Sequence, residues 1–357
     1  NTKLRILEGH TKMVDKKQKK ELLKTTVEHI DIKSFNAIPI IEAYDKMSFS
    51  ARDLARAAKI VDMMQKDKEC SMWLTLAGST SAAGCMQIYV EMVKAGMSDA
   101  VVATGASIVD MDFFEALGFK HWQGSPFVDD KKLRGLYIDR IYDTYIDEEE
   151  LQNCDMVTKK IADSLEPRPY SSREFIKEMG RYLTKNAKKK DSLVQVCYER
   201  NVPIFCPAFS DSSAGFGLVK HQVERGEQKK PMMSLDSAKD FLELTKIKMS
   251  CNHTGLLMIG GGVPKNFAQD TVVCAEILGK DVPVHKYAVQ ITVADVRDGA
   301  CSSSTLKEAA SWGKVDTTYE QMVFSEATIS LPLLASYVYH KGSWKGRQKR
   351  EFSKLFQ

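Results

Sequence analysis

Met72-Trp73-Leu74-Thr75-Leu76-Ala77-Gly78-Ser79-Thr80-Ser81 is an apolar run that stops at a glycine and three hydroxyl residues. Six apolar or β-tending residues are too few for a core helix and suit a strand buried on both faces. The small residues permit a turn, and a helical pattern resumes at Ala82, as one also precedes the run from Ala51 to Lys66. This unit of strand, small-residue loop and helix recurs. Ala100 to Ala103 runs into Thr104-Gly105-Ala106-Ser107 and a helix through Phe113 to Leu117, Val202 to Phe205 ends at Pro207 to Ser213, and Gly255 to Ile259 ends at Gly260-Gly261-Gly262. Tyr287 to Val293 ends at Ala294 to Gly299, and Met322 to Phe324 ends at Ser325-Glu326 before a helix through Leu331 and Tyr337. Such alternation predicts an α/β fold, a doubly wound and mostly parallel sheet with helices on both faces. Ligands of these sheets sit outside the carboxyl ends of the strands, where this chain concentrates Gly, Ser, Thr and Asp.

The α/β pattern occupies residues 41–340. Before it, residues 1–40 form a charged arm with one amphipathic helix expected around Lys16 to His29; after it, residues 341–357 form a basic tail. The lysines of the arm (Lys12, Lys16, Lys17, Lys19, Lys20) and the basic residues of the tail are expected to be solvated. A helix with an acidic first turn at Asp147 to Glu150 and the lysine-rich Lys185 to Lys190 suggest a solvated helical excursion between the halves.

Composition narrows the function classes. With 43% hydrophobic residues in 357, the chain can bury a large core. A net charge of only +4 gives no basic field for nucleic acid. No apolar run approaches the roughly 20 residues of a membrane helix and no signal-peptide pattern is present, so a cytoplasmic protein is expected. The eight cysteines contain no CxxC pair and the seven histidines no metal-ligand spacing, so no metal is expected. A Gly-x-Ser-x-Gly elbow is absent, which disfavours a hydrolase.

Gly260-Gly261-Gly262 follows a strand and precedes a helix, the setting in which bare amides approach a pyrophosphate. It does not match G-x-G-x-x-G, and a tight turn without a ligand is the alternative. Asp110, Asp211, Asp298 and Glu326 stand just past strand ends, placed either to bind ribose hydroxyls or cations or to cap helices. Lys314 lies in Ser311-Trp312-Gly313-Lys314, six residues after Glu308. A lysine beside an indole and a carboxylate could hold a cationic amine, or act as a nucleophile once discharged. Among so many lysines, residue chemistry alone does not single it out. His221 is read as a satisfied structural histidine.

Glu308-Ala309-Ala310-Ser311-Trp312-Gly313-Lys314-Val315 resembles the catalytic-lysine segment of the deoxyhypusine synthase family. Pro203 to Asp211, Ile259 to Lys265, Tyr287 to Thr292 and Ser325 through Leu334 are similar to the family's other hallmarks, in the family's order, over about residues 40–340. The resemblance implies a Rossmann-like subunit of a homotetramer with NAD and amine bound between chains. It implies oxidation of a polyamine by NAD, transfer of a butylimine to the lysine, delivery to an acceptor amine, and reduction. By position, Lys314 would form the imine, Trp312 would flank the amine chain and Glu308 would hold an ammonium. Gly78, Ser79, Thr104, Gly105, Asp110, Asp211, Gly261, Gly262, Ala294, Asp298 and Glu326 would contact NAD, Glu326 standing where the family usually has aspartate. Three substrate positions depart: Asn266 replaces a histidine, and Phe216 and Cys301 replace two polyamine-contacting aspartates. Two lost charges should weaken the grip on a spermidine-like cation. They tilt the expected acceptor from a lysine of translation initiation factor 5A toward a free amine, giving homospermidine-like or guanidino polyamines from putrescine or agmatine. A weakly active structural paralogue is a competing expectation. An ordinary NAD dehydrogenase is another, without a His/Asp pair to support it.

Overall fold

The computed structural model describes residues 15–356. Six parallel strands form its centre: β1 (Cys70–Leu76), β2 (Ala100–Ala103), β3 (Ile204–Phe205), β4 (His253–Ile259), β5 (His285–Thr292) and β6 (Val315–Phe324). All six expected strands are present: Ala100–Ala103 keeps its expected bounds, the others shift by one or two residues at an end, and the last begins at Val315 rather than Met322. They lie in the order β3-β2-β1-β4-β5-β6, the Rossmann order, in which the order of strand addition reverses between β1 and β4 and opens a crevice at their carboxyl ends.

Every residue of β1 is buried, because alternate side chains feed different faces of the sheet. Met72, Leu74 and Leu76 join one apolar cluster with Val101, Leu257, Val289 and Val323. Trp73 joins another with Val102, Phe205, Leu256 and Met258. Helices Phe49–Lys66, Met86–Lys94 and Ala327–Lys341 pack on the first side through residues such as Val61, Ile88 and Leu334. Ser237–Met249, Gly262–Gln269 and Leu306–Ser311 pack on the second through Leu244, Ala268 and Leu306. The fold is therefore the Rossmann-like doubly wound α/β architecture.

Four local expectations need correction. The arm helix spans only Lys16–Leu22; the β-branched Thr25-Thr26-Val27 then runs extended, with the Val27 amide bonded to His121 O at 2.9 Å. Residues 1–14 of the arm, Lys12 among them, lie outside the described residues. The helix expected from Ala82 starts as a π-turn over Ser81–Cys85 with Gly84 at φ +98°, where a Cβ would meet Glu28 O at 2.9 Å. The excursion expected between Asp147 and Lys190 is helical over Glu148–Asp163 and Ser172–Asn186 but packed rather than solvated, with Ile161, Ala162, Phe175 and Met179 in the first apolar cluster; before it, Trp122–Gln123, Ile138–Ile141 and Thr144–Asp147 make an unexpected three-stranded antiparallel sheet around Leu133, Leu136, Ile138 and Tyr145. The basic tail is docked rather than solvated. Arg347 donates to Met64 O at 3.0 Å and Gly96 O at 3.1 Å and pairs with the buried Asp99, and Phe352 is buried in the second apolar cluster.

Candidate active site

The carboxyl ends of the strands gather the glycine-loop residues singled out above, whereas Lys314 heads a second group at the amino end of β6, its carbonyl accepting from the His285 amide at 2.9 Å. Gly78, Thr104, Gly105 and Asp211 line one pocket of about 230 Å³, whose other wall is Val263 and Pro264 of the helix after β4. Gly78 has φ +76° and open space where a Cβ would stand; its carbonyl accepts from Ser107 Oγ at 2.6 Å, which ties the first two loops together. Ser79 and Glu326 line a larger adjoining cavity of about 1230 Å³, bounded by the extended arm at Lys24 to Glu28 and by the antiparallel sheet.

Gly261 and Gly262 begin the helix Gly262–Gln269, and no side chain caps its first amides, so these are free for an anion. A Cβ on Gly261 would strike Ser302 Cα at 2.4 Å, so this glycine admits the 294–304 loop. Gln290 clamps the same contact, donating to Gly260 O and Ser302 O at 2.9 Å each. Ala294 and Asp298 lie on that loop: the Ala294 amide bonds to Thr292 Oγ1 at 3.1 Å, and the Asp298 side chain accepts from the Ala300 amide at 3.1 Å.

Asp110 is buried, and its carboxylate accepts from the amides of Ser213 at 3.1 Å and Ala214 at 2.9 Å. It caps the helix Ser213–Glu227, the alternative weighed above for these acids. Burial raises it from the usual carboxylate range. Glu326 is the N-cap of Ala327–Lys341, accepting from the Thr328 amide at 2.8 Å, yet it remains exposed. His221 is buried and bonds Asp163 Oδ1 at 2.7 Å, which fits the structural reading.

The second group surrounds Lys314, whose side chain is only 13% exposed. Its Nζ lies 2.5 Å from Asp270 Oδ1, 3.5 Å from Asn266 Oδ1 and 5.2 Å from the centre of the Trp312 ring. Trp312 itself is 66% exposed, a free apolar wall beside a cation. Glu308 is exposed on Leu306–Ser311 and closes a capping box with Thr305. Lys265, buried on the helix that carries Asn266, donates to Ser304 O. Burial pushes its ammonium down to about 8, the charge of Lys314 acting the same way against Glu308. Cys301 is exposed at the mouth of this loop, whereas Phe216 stands apart, 66% exposed on Ser213–Glu227.

One helix joins the two groups: Val263 and Pro264 face the first pocket, and Asn266 and the following Asp270 meet Lys314. Asp270 and Lys265 escaped the reading from sequence. Asp270 leaves one faint sign there, a position four residues after Asn266 on a helix that opens from the glycine turn.

Fold and site together define a Rossmann-like α/β protein with a sequestered lysine beside the helix that leaves its glycine turn. The sequence profile of deoxyhypusine synthase matches residues 39–338, and the chain belongs to that family. It is 67% identical over 340 residues to a deoxyhypusine synthase-like protein of Coxiella burnetii (strain RSA 493 / Nine Mile phase I), covering 95% of this chain and 96% of that one. It is 66% identical over 356 residues to one of Caulobacter vibrioides, covering 99% and 97%. A crystallised Entamoeba histolytica protein assigned as a deoxyhypusine synthase shares the fold with a TM-score of 0.57 at 16% identity, over 91% of this chain and 99% of that one.

Proposed function

We propose that this chain is an NAD-dependent transferase that carries a butylimine unit on Lys314 from a donor amine of the spermidine, putrescine or agmatine class to an acceptor amine. The observation that carries the reading is the placement of Lys314: sheltered from water, against an indole, and facing Asn266 of the helix that begins at the glycine turn. A lysine amine forms imines with activated carbon and holds the carbon while an acceptor arrives. The strand order, the free helix amides and the hydroxyl- and acid-lined pockets suit a dinucleotide. Gly78, Ser79, Thr104, Gly105, Asp211, Gly261, Gly262 and Glu326 would hold it. When bound, NAD supplies a hydride acceptor at the start of the cycle and a hydride donor at its end.

Within the chain, Trp312 gives an amine chain an apolar and cation-attracting wall. Glu308 draws an ammonium to the rim. Lys314 attacks the carbon of the oxidised donor, and sequestration from water protects the resulting imine from hydrolysis. Asn266 replaces a titrating ring beside Lys314, and Cys301 and the more distant Phe216 lack the negative charges that family resemblance implies for binding a polyamine, which favours a small free amine over a lysine of translation initiation factor 5A as acceptor. We propose further that the chain works as a homo-oligomer, a tetramer by family resemblance. Phe216, Val219 and Val223 expose one apolar face of Ser213–Glu227, at 66%, 58% and 54%.

Mass spectrometry of products tests the reading. The protein with NAD and spermidine, putrescine or agmatine is expected to form a new polyamine when a second small amine is supplied. Mass added to the factor 5A lysine, with release of 1,3-diaminopropane and no new polyamine, would restore the protein-modifying alternative.

A further inference from the structure

An ammonium cannot attack carbon until it sheds its proton, and the surroundings of Lys314 offer one acceptor. Asp270 Oδ1 is 2.5 Å from Nζ; among the described residues no other carboxylate lies within ion-pair distance of it. The opposite oxygen of Asp270 accepts from the Asn266 amide nitrogen at 2.8 Å, and the Asn266 carbonyl oxygen faces Nζ at 3.5 Å. The Asp270 backbone N–H bonds Asn266 O at 2.8 Å, so amide and carboxylate share one helical turn and Asn266 fixes the carboxylate plane. Asp270 is 30% exposed against 13% for Lys314. The acceptor is thus the more open of the pair, and the lysine the more closed in.

We propose that Asp270 is the acid–base residue of the Lys314 chemistry, taking the lysine proton and returning it to the nitrogen that departs. This rests on the imine reading above and deepens it. The ammonium gives a proton to Asp270, and the free amine adds to the carbon of the protonated donor imine. The new C–N bond leaves a diamine at that carbon, and the donor nitrogen takes one proton from the lysine nitrogen. The old C–N bond then breaks with its electron pair on the departing amine, which takes its second proton from Asp270. The products are a protonated Lys314 imine, a free ammonium and Asp270 again as carboxylate; protons and charge balance, and no oxidant enters.

A carboxylate that only neutralised Lys314 would hold it protonated, so its removal would speed attack. Proton handling has the opposite sign. The test uses a short ω-aminoaldehyde without nicotinamide: its carbonyl condenses with Lys314, loses water, and is trapped by borohydride for mass spectrometry. With Asp270→Asn, verified as folded by its thermal melt, trapping at Lys314 is expected to slow about 100-fold, the lower end of what a positioned acid–base group contributes. Asp270→Glu is expected to recover most of the rate, and formate to restore part of it to Asp270→Ala. Trapping in Asp270→Asn at the original rate or faster overturns the proposal, as does an unmodified Lys314 in the unaltered protein. Aspartate-dependent trapping with no nicotinamide reduction by any donor amine would support the Asp270 assignment and sink the wider reading.

Discussion

Three sheltered lysines separate what burial does from what chemistry needs. Lys314 has a carboxylate at 2.5 Å, whereas Lys248 is fully buried with Thr254 Oγ1 at 2.7 Å as its hydrogen-bond partner. Burial pushes Lys248 down to about 8, as it does Lys265. The unfolded chain then binds more protons than the folded one between about 8 and 10.5, so this group lets stability rise with pH across that window. Lys248→Met is therefore expected to stabilise the protein by about 2 kcal/mol at neutral pH. Urea melts of both proteins should show the gap closing as pH climbs to 10.5; a constant gap contradicts the assignment. Neither lysine could be told from its neighbours by residue type, since burial arises from contacts distant in sequence. Lys314 stood out only through its resemblance to a family segment. Asp270 carried no such mark, because its meaning comes from a lysine 44 positions later.

At the level of elements, two acids on one short segment each hold a different helix. Asp110 accepts from Ser213 and Ala214, and Asp112, fully buried, accepts from Leu193 at 2.7 Å and Val194 at 2.9 Å. Asp110→Ala is expected to cost about 1–2 kcal/mol through the lost cap, measured by urea denaturation. Unchanged stability with weakened NAD binding would instead make it a ribose contact. The central strands were legible where an apolar run ends in small residues: Ala100–Ala103 matches residue for residue, whereas the polar first half of Val315–Phe324 hid all but Met322 to Phe324. The strands near Trp122 and Thr144 were not, since Trp122–Gln123 and Thr144–Asp147 mix polar and apolar residues and form no apolar run. Nor was the end of the arm helix, which depends on pairing with His121.

For the whole molecule, strand number could be counted along the chain but strand order could not. β1 lies between β2 and β4, which joins Leu74 to Leu257 across much of the sequence, and it is this pairing that sets the crevice beside the glycine turn. The exposed stripe at Phe216, Val219 and Val223 belongs to the same scale. Val219→Asp is expected to lower the mass seen in sedimentation while leaving the fold intact by circular dichroism; an unchanged mass removes this face from the assembly. The chemistry proposed for Lys314 is covalent, and borohydride trapping of an isotope-labelled donor amine in the presence of NAD, followed by peptide mass spectrometry, reads it out directly. The expected result is one labelled peptide bearing the adduct on Lys314. In Lys314→Ala, the adduct and transfer should both be lost while donor oxidation persists in part. Label on another residue, or undiminished transfer by Lys314→Ala, would contradict the account.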